Sequence, residues 1–200
     1  MWVTSLFASQ SAVGELGRKT LGVDYGLRWV GVAVSVGYAP RPVATLPHGQ
    51  WKRPRRRRPN RVATPVVTQE ALERLIAELL QIARGERVQQ IVVGLPLNSC
   101  GEETRQSRLT RAFAQQLADA SSVPIYLWDE RYSSVRAAQN LHANGIRRHD
   151  DMLDMLDVES AAVLLSDFFD CRGVRAELVP RRGTDAGDSS SEPDALADVE

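Results

Sequence analysis

Three acidic residues of this chain stand where a predicted element ends or begins. Asp24 closes a run of apolar and small residues and precedes Gly26, which permits the reversal of a β-hairpin. Glu130 follows the predicted strand 125–128, and Asp157 begins a helical pattern. Oxygen-only ligands of this kind are those that Mg²⁺ or Mn²⁺ prefers, and such a cluster suits metal-assisted hydrolysis of a phosphodiester. The same residue types also occur as ordinary turn or helix-start acids.

The helical spacing around Asp157 places it on an apolar stripe. Ala161, Leu164 and Phe168 follow at i+4, i+7 and i+11, so we expect this acid to face the sheet. Burying three unpaired carboxylates together would cost several kcal/mol through desolvation and repulsion, and a divalent cation would remove that cost.

The apolar pattern predicts the order of elements that must position these acids. Three sequential strands lie in 21–46, and helix, strand, helix, strand, helix and helix follow, the last helix running from about Asp154 to Asp170. Thr68 is the predicted N-cap of the first helix and Gly85 its stop. We therefore predict an α/β fold with a mixed five-stranded sheet, an antiparallel three-strand meander followed by parallel strands, flanked by helices. Sites in such sheets lie beyond the carboxyl ends of the strands.

The chain divides by composition into a core and three polar or patternless segments. We expect a flexible leader at 1–19, one domain at 20–175 with a basic loop inserted at 47–66, and a disordered acidic tail at 176–200. The formal net charge of +0 conceals this segregation of charge. No apolar run approaches the ~20 residues that cross a bilayer, so we expect no membrane partner.

Four blocks of sequence, in order, resemble the YqgF (RuvX) family, which is described as pre-16S rRNA processing nucleases and Holliday-junction resolvases. They are 22–26 with 30–35, 91–98 with Gly101, 129–131 with Ser133 and Ser134, and Asp157 with 160–165.

The resemblance implies an RNase H-like fold and a nuclease that uses Mg²⁺ or Mn²⁺. It implies that Asp24, Glu130 and Asp157 are the metal-binding catalytic acids. The implied substrate is structured nucleic acid, with the 5′ end of the 16S rRNA precursor favoured and branched DNA as the alternative. A monomer or a homodimer is expected.

Further residues are predicted to contact a substrate phosphate or to line the groove. Backbone amides and hydroxyls at a helix start, loop glycines and arginines are typical phosphate ligands. The candidates are Gly26, Arg28, Asn98, Arg131, Ser133, Ser134, Arg55, Arg56, Arg57 and Arg58. Trp29 and Trp128 are predicted to be core or groove-wall aromatics.

Two other functions stay open. Arg147, Arg148 and His149 are followed at once by acids at 150, 151 and 154, which weakens nucleic-acid binding at this edge and leaves a non-catalytic RNA-binding or ribosome-assembly factor as an alternative. The acid-turn-glycine hairpin at 24–26 also resembles the first phosphate loop of actin-like ATPases, although no second such loop is visible. The predicted location is the cytoplasm, or a plastid or other organelle if the leader is a transit peptide.

Overall fold

A computed structural model describes residues 16–48, 68–131 and 149–182, with side chains from Glu159 onward in the last range. Ser133, Ser134, the arginines 55–58 and the helix predicted after Ser134 lie outside the described residues, as do most of the leader and tail.

A six-stranded mixed sheet forms the centre, in the order β3-β2-β1-β4-β5-β6. The pairs β1–β2, β2–β3 and β5–β6 are antiparallel, whereas β1–β4 and β4–β5 are parallel. The α/β class, the meander and the parallel strands are thereby confirmed. The strands are β1 Thr20–Tyr25, β2 Trp29–Ser35, β3 Arg41–Pro47, β4 Gln90–Leu95, β5 Ile125–Asp129 and β6 Glu177–Val179.

Three described helices cover the sheet: α1 Gln69–Gly85, α2 Arg105–Ala120 and α3 His149–Asp170. Thr68 caps α1 as predicted, accepting a hydrogen bond from the Ala71 amide at 3.2 Å. A capping box formed by Thr104 and Ser107 begins α2, and Ser107 Oγ also donates to the Pro96 carbonyl, so this helix start is tied to the end of β4.

The two faces of the sheet bury different residues because side chains alternate along each strand. One face packs against α1 and α2 through residues such as Val23, Val32 and Val93. The other face packs against α3 through small residues and a few aromatics, among them Ala33 and Trp128.

Helix α3 approaches β1 so closely that glycine is required at position 22. An ideal Cβ on Gly22 would lie 2.6 Å from Leu165 Cγ and 3.0 Å from the Ala161 carbonyl oxygen. These separations are shorter than van der Waals contact, so the small residue fixes how near the helix can lie.

Two features differ from the sequence-based expectation. A sixth strand, Glu177–Val179, pairs with β5 where no strand was predicted. Helix α3 begins at His149, earlier than the predicted start near Asp154. No helix in the described ranges combines the length and the apolar character needed to cross a bilayer.

Candidate active site

Asp24 lies near the end of β1 and faces the side of the sheet on which α3 packs. Gly22, two residues earlier, contacts α3, and residues two apart on a strand share a face. Opposite Asp24, Gly31 of β2 has no side chain to cover it. Asp24 is nonetheless buried, with 8% of its surface exposed, so its carboxylate sits in a largely dry environment.

Glu130 reaches the same face from the end of β5. Its amide donates to the Leu95 carbonyl at 3.3 Å, which holds this position beside the end of β4. The side chain then lies over Gly94, and an ideal Cβ on Gly94 would overlap Glu130 Oε2 and Cδ. Gly94 therefore makes the space that the Glu130 carboxylate occupies.

The two carboxylates are electrostatically coupled. Burial raises the pKa of Glu130 well above its usual range, and the charges of Asp24 and then Asp129 add to that rise. Glu130 Oε2 is shielded from solvent and has no hydrogen-bond partner among the residues that the structure describes. A buried oxygen without a donor, beside a second acid, is a position that a cation would stabilise.

The third acid of the predicted set, Asp157, lies on α3 one helical turn before Ala161, whose carbonyl oxygen is beside Gly22. Its side chain lies outside the part that the structure describes. Among the residues whose side chains are described, no three of His, Cys, Asp and Glu form a group able to hold a metal. The structure thus brings Asp24 and Glu130 together and places the backbone of Asp157 on the helix that covers β1.

The hairpin tip beyond Asp24 is held by His48. His48 Nδ1 donates to the Gly26 carbonyl at 2.8 Å, and the His48 amide donates to the Arg28 carbonyl, also at 2.8 Å. Because Nδ1 is the donor, a neutral ring accepts at Nε2 from the Tyr25 hydroxyl at 2.6 Å. The predicted substrate residues Gly26 and Arg28 therefore lie on a braced turn.

Burial keeps both members of this hydrogen bond uncharged. It lowers the pKa of the His48 imidazole, against a smaller opposing effect of the Gly26 and Leu27 backbone, and it raises the pKa of the Tyr25 hydroxyl far above its usual range. The Tyr25 ring also stacks on Phe113 of α2 at a centroid separation of 4.1 Å. The tip is thereby tied to the core on the α2 side of the sheet.

Asn98 braces its own loop. Its Oδ1 accepts from the amides of Cys100 at 3.0 Å and Glu102 at 2.8 Å, and its Nδ2 donates to the Glu102 carboxylate at 2.9 Å. This is an Asx-type turn, which orders the loop after β4.

Arg131 connects that loop to the end of β5. Its guanidinium forms a salt bridge with Asp129, with Nη2 2.7 Å from Oδ2. Its Nη1 lies 3.1 Å from the position of an ideal Cβ on Gly101. Arg131 is thus one residue from Glu130 and packs against the loop that Asn98 orders.

Two residues important to the geometry were not singled out from the sequence. Gly94 interrupts a run of β-branched residues, and an isolated glycine within a strand is a known signal of close approach by another group. His48 follows β3 at the edge of a basic segment and carries no local signal, because its role depends on partners 22 and 23 positions away.

The fold and the site define an α/β protein with a mixed sheet and two interacting acids at the carboxyl ends of β1 and β5, the strands on either side of β4. The family model RuvX, described as Holliday junction resolvase, matches residues 56–171. The chain belongs to the RuvX family, as its sequence blocks predicted.

Two sequence relatives are similar to most of this chain. A protein of Anaeromyxobacter dehalogenans (strain 2CP-C), named as a proposed pre-16S rRNA nuclease, is 37% identical and the match covers 77% of this chain and 98% of that protein. One of Chloroflexus aurantiacus (strain ATCC 29366 / DSM 635 / J-10-fl) with the same name is 32% identical over 76% of this chain and 86% of its own length. Thermus thermophilus RuvC in complex with a Holliday junction substrate is 17% identical, covers 80% of this chain and 98% of that one, and has a TM-score of 0.46.

Proposed function

We propose that the protein is a Mg²⁺- or Mn²⁺-dependent nuclease that hydrolyses phosphodiester bonds in structured nucleic acid, with Asp24, Glu130 and Asp157 as its catalytic acids. The single observation that carries this proposal is the proximity of Asp24 to Glu130, whose buried Oε2 has no hydrogen-bond partner among the described residues. Two neighbouring carboxylates repel each other in a dry site, and carboxylate oxygens are the ligands that these ions prefer.

When bound by these carboxylates, the metal would offset their repulsion, promote ionisation of the attacking water and stabilise the leaving oxygen. The chain's own residues supply position. β1 and β5 deliver Asp24 and Glu130 to one face of the sheet, and the absence of a side chain at Gly94 lets the second acid approach. In the reaction, water forms a new bond to phosphorus, the bond to a sugar oxygen breaks, and that oxygen takes up a proton.

Substrate contacts are proposed on both sides of the acid pair. Arg28 lies on the braced hairpin tip, shortly after Asp24 in the sequence, and Arg131 directly follows Glu130 and forms a salt bridge with Asp129. The arginines 55–58, Ser133 and Ser134 remain proposed phosphate contacts, because hydroxyls and arginines neutralise or hydrogen-bond phosphate oxygens. Asn98 contributes by ordering the loop that Arg131 contacts.

The favoured substrate is the precursor of 16S rRNA. The names of the relatives support that choice, whereas the description of the family model supports branched DNA. Because one candidate substrate is RNA and the other is branched DNA, a single experiment can distinguish them.

The test offers purified protein two substrates in the presence of Mn²⁺: an RNA that spans the 5′ end of 16S rRNA with its precursor extension, and a four-way DNA junction. Asp24→Asn and Glu130→Gln should each reduce cleavage by about 100-fold or more, because each removes a charged ligand. Glu78→Gln makes the same chemical change on the exposed side of α1 and should leave the rate unchanged. Salt-sensitive RNA binding without cleavage by the wild-type protein would replace this proposal with a binding function.

A further inference from the structure

Trp29 lies at the hairpin tip, on the side of the sheet that carries Asp24 and Glu130. Along β2, Val30, Val32 and Val34 face α1 and α2, so Trp29 and Gly31 face the opposite side. Gly31 is paired with Asp24. Trp29 is therefore the diagonal neighbour of Asp24, and such pairs have Cβ atoms about 7–8 Å apart, within reach of an aromatic side chain.

This tryptophan is exposed where most of its strand is buried. It is 37% exposed, while every other residue of β2 is buried, and the adjacent Leu27 is 45% exposed. The other strand tryptophan, Trp128, is 6% exposed and packs edge-on against Phe168. Trp128 is thus part of the core, whereas more than a third of the Trp29 surface stays exposed.

The tip that carries Trp29 is ordered before any ligand arrives. His48 hydrogen-bonds the carbonyls of Gly26 and Arg28 on either side of Leu27, and Trp29 itself pairs with Pro47 of β3. A rigid aromatic loses little conformational freedom on binding, so its contacts convert efficiently into affinity.

We propose that Trp29 is a stacking site for an unpaired base about two nucleotides from the scissile phosphate, so that the site takes nucleic acid with a single-stranded or bulged nucleotide there. The inference rests on the proposed function for its choice of nucleic acid as ligand. A ring plane binds a base face regardless of sequence, and the offset from Asp24 corresponds to about two nucleotides at ~3.4 Å per nucleotide of stacked strand. The Arg28 cation beside it complements a phosphate. A base inside a duplex is already stacked on both faces and would not reach the ring.

The experiment measures binding in EDTA, so that it does not depend on metal-assisted cleavage. The probes are two RNA hairpins that carry 2-aminopurine, one with that base unpaired in a bulge and one with it paired in the stem. The variants are Trp29→Ala, Trp29→Phe and the matched control Tyr38→Ala, which removes an aromatic that is 74% exposed in the turn at the opposite end of β2.

We expect Trp29→Ala to weaken binding of the bulged RNA by about 10-fold and to abolish quenching of its 2-aminopurine, with the paired RNA affected less than about twofold. Trp29→Phe should retain most of the affinity and the quenching, and Tyr38→Ala all of both. Equal losses on both RNAs, no loss on either, or a change in oligomeric state measured by light scattering would overturn the proposal.

If the wild-type protein cleaves nothing with Mn²⁺ yet shows this Trp29-dependent preference, the stacking site stands and the nuclease proposal fails. If Asp24-dependent cleavage is seen without the preference, the reverse holds.

Discussion

The Glu130 carboxylate occupies the space that a side chain at Gly94 would fill. An ideal Cβ on Gly94 would overlap Glu130 Oε2, and the three atoms nearest to it all belong to Glu130. The position of the Glu130 carboxylate therefore depends on the absence of a side chain at residue 94.

Gly94→Ala should displace the Glu130 carboxylate and reduce cleavage by about 100-fold, because small misplacements of catalytic groups carry costs of that size. The fold should be retained, since the far end of a flexible side chain yields rather than the backbone. Gly85→Ala is the matched control, because an ideal Cβ there meets nothing within 4 Å. Single-turnover rates and thermal melts of both variants make the comparison. Full activity in Gly94→Ala would show that Glu130 need not lie where the structure has it.

Gly22→Ala should act on stability instead. Its Cβ would meet Leu165 and the Ala161 backbone, so α3 must move away from β1 at a cost of about 1–3 kcal/mol in the free energy of unfolding. Urea denaturation measures this directly, with Gly85→Ala again as the control. Because α3 also carries Asp157, activity should fall as well. An unchanged denaturation midpoint would mean that the helix and strand are not in such close contact.

Glu130→Gln should stabilise the metal-free protein near neutral pH, by about 1–3 kcal/mol, because it removes a buried carboxyl group that folding must either protonate or bury as a charge. The raised pKa of Glu130 fixes the sign of the pH dependence. The folded wild-type protein holds this proton more tightly than the unfolded chain, so wild-type stability falls as the pH rises from the unfolded value of about 4.3 towards the raised folded value. The variant's advantage should therefore shrink on acidification. Melts in EDTA between pH 4.5 and 8 test this, and an advantage that grows towards low pH would contradict it.

His48→Ala should destabilise the hairpin tip by about 1–3 kcal/mol, because the buried Tyr25 hydroxyl loses its partner at 2.6 Å. His48→Asn is the informative companion, since its amide can still donate to the Gly26 carbonyl in place of Nδ1. The lowered pKa of His48 makes wild-type stability fall as the pH drops below the unfolded value of about 6.5. That part of the pH dependence should be absent in both variants. Chemical denaturation at pH 5 and pH 7.5 provides the measurement, and an unaltered pH difference would remove His48 from this role.

Local patterns were enough to predict most of the fold. The helical spacing from Leu72 and the cap at Thr68 located α1, and short β-branched runs located the parallel strands. Strand β6 escaped prediction because its three residues, only one of them buried, carry no periodicity. Its pairing with β5 and the salt bridge from Arg111 of α2 to Glu177, at 2.6 Å, are both tertiary. The early start of α3 escaped because His149 and the acids after it are polar and leave no apolar stripe to detect.

The acids of the candidate site could be predicted from the sequence, whereas the residues that position them, Gly94 and His48, could not. Asp24 and Glu130 each end a recognisable strand, and strand ends share an edge of the sheet. That Gly94 makes room for Glu130 depends on which face of β4 each residue occupies and on the register with β5. That His48 braces the tip depends on contacts between β1 and the residue after β3. Neither relationship can be predicted from the spacing of residues along the sequence.

Whether Asp24 and Glu130 share a divalent cation can be seen in a crystal structure determined in Mn²⁺ with anomalous diffraction. We predict an anomalous peak with carboxylate oxygens of both residues at about 2.0–2.3 Å, lost in crystals of Asp24→Asn. A manganese ion bound elsewhere, or none at a concentration that supports cleavage, would contradict it.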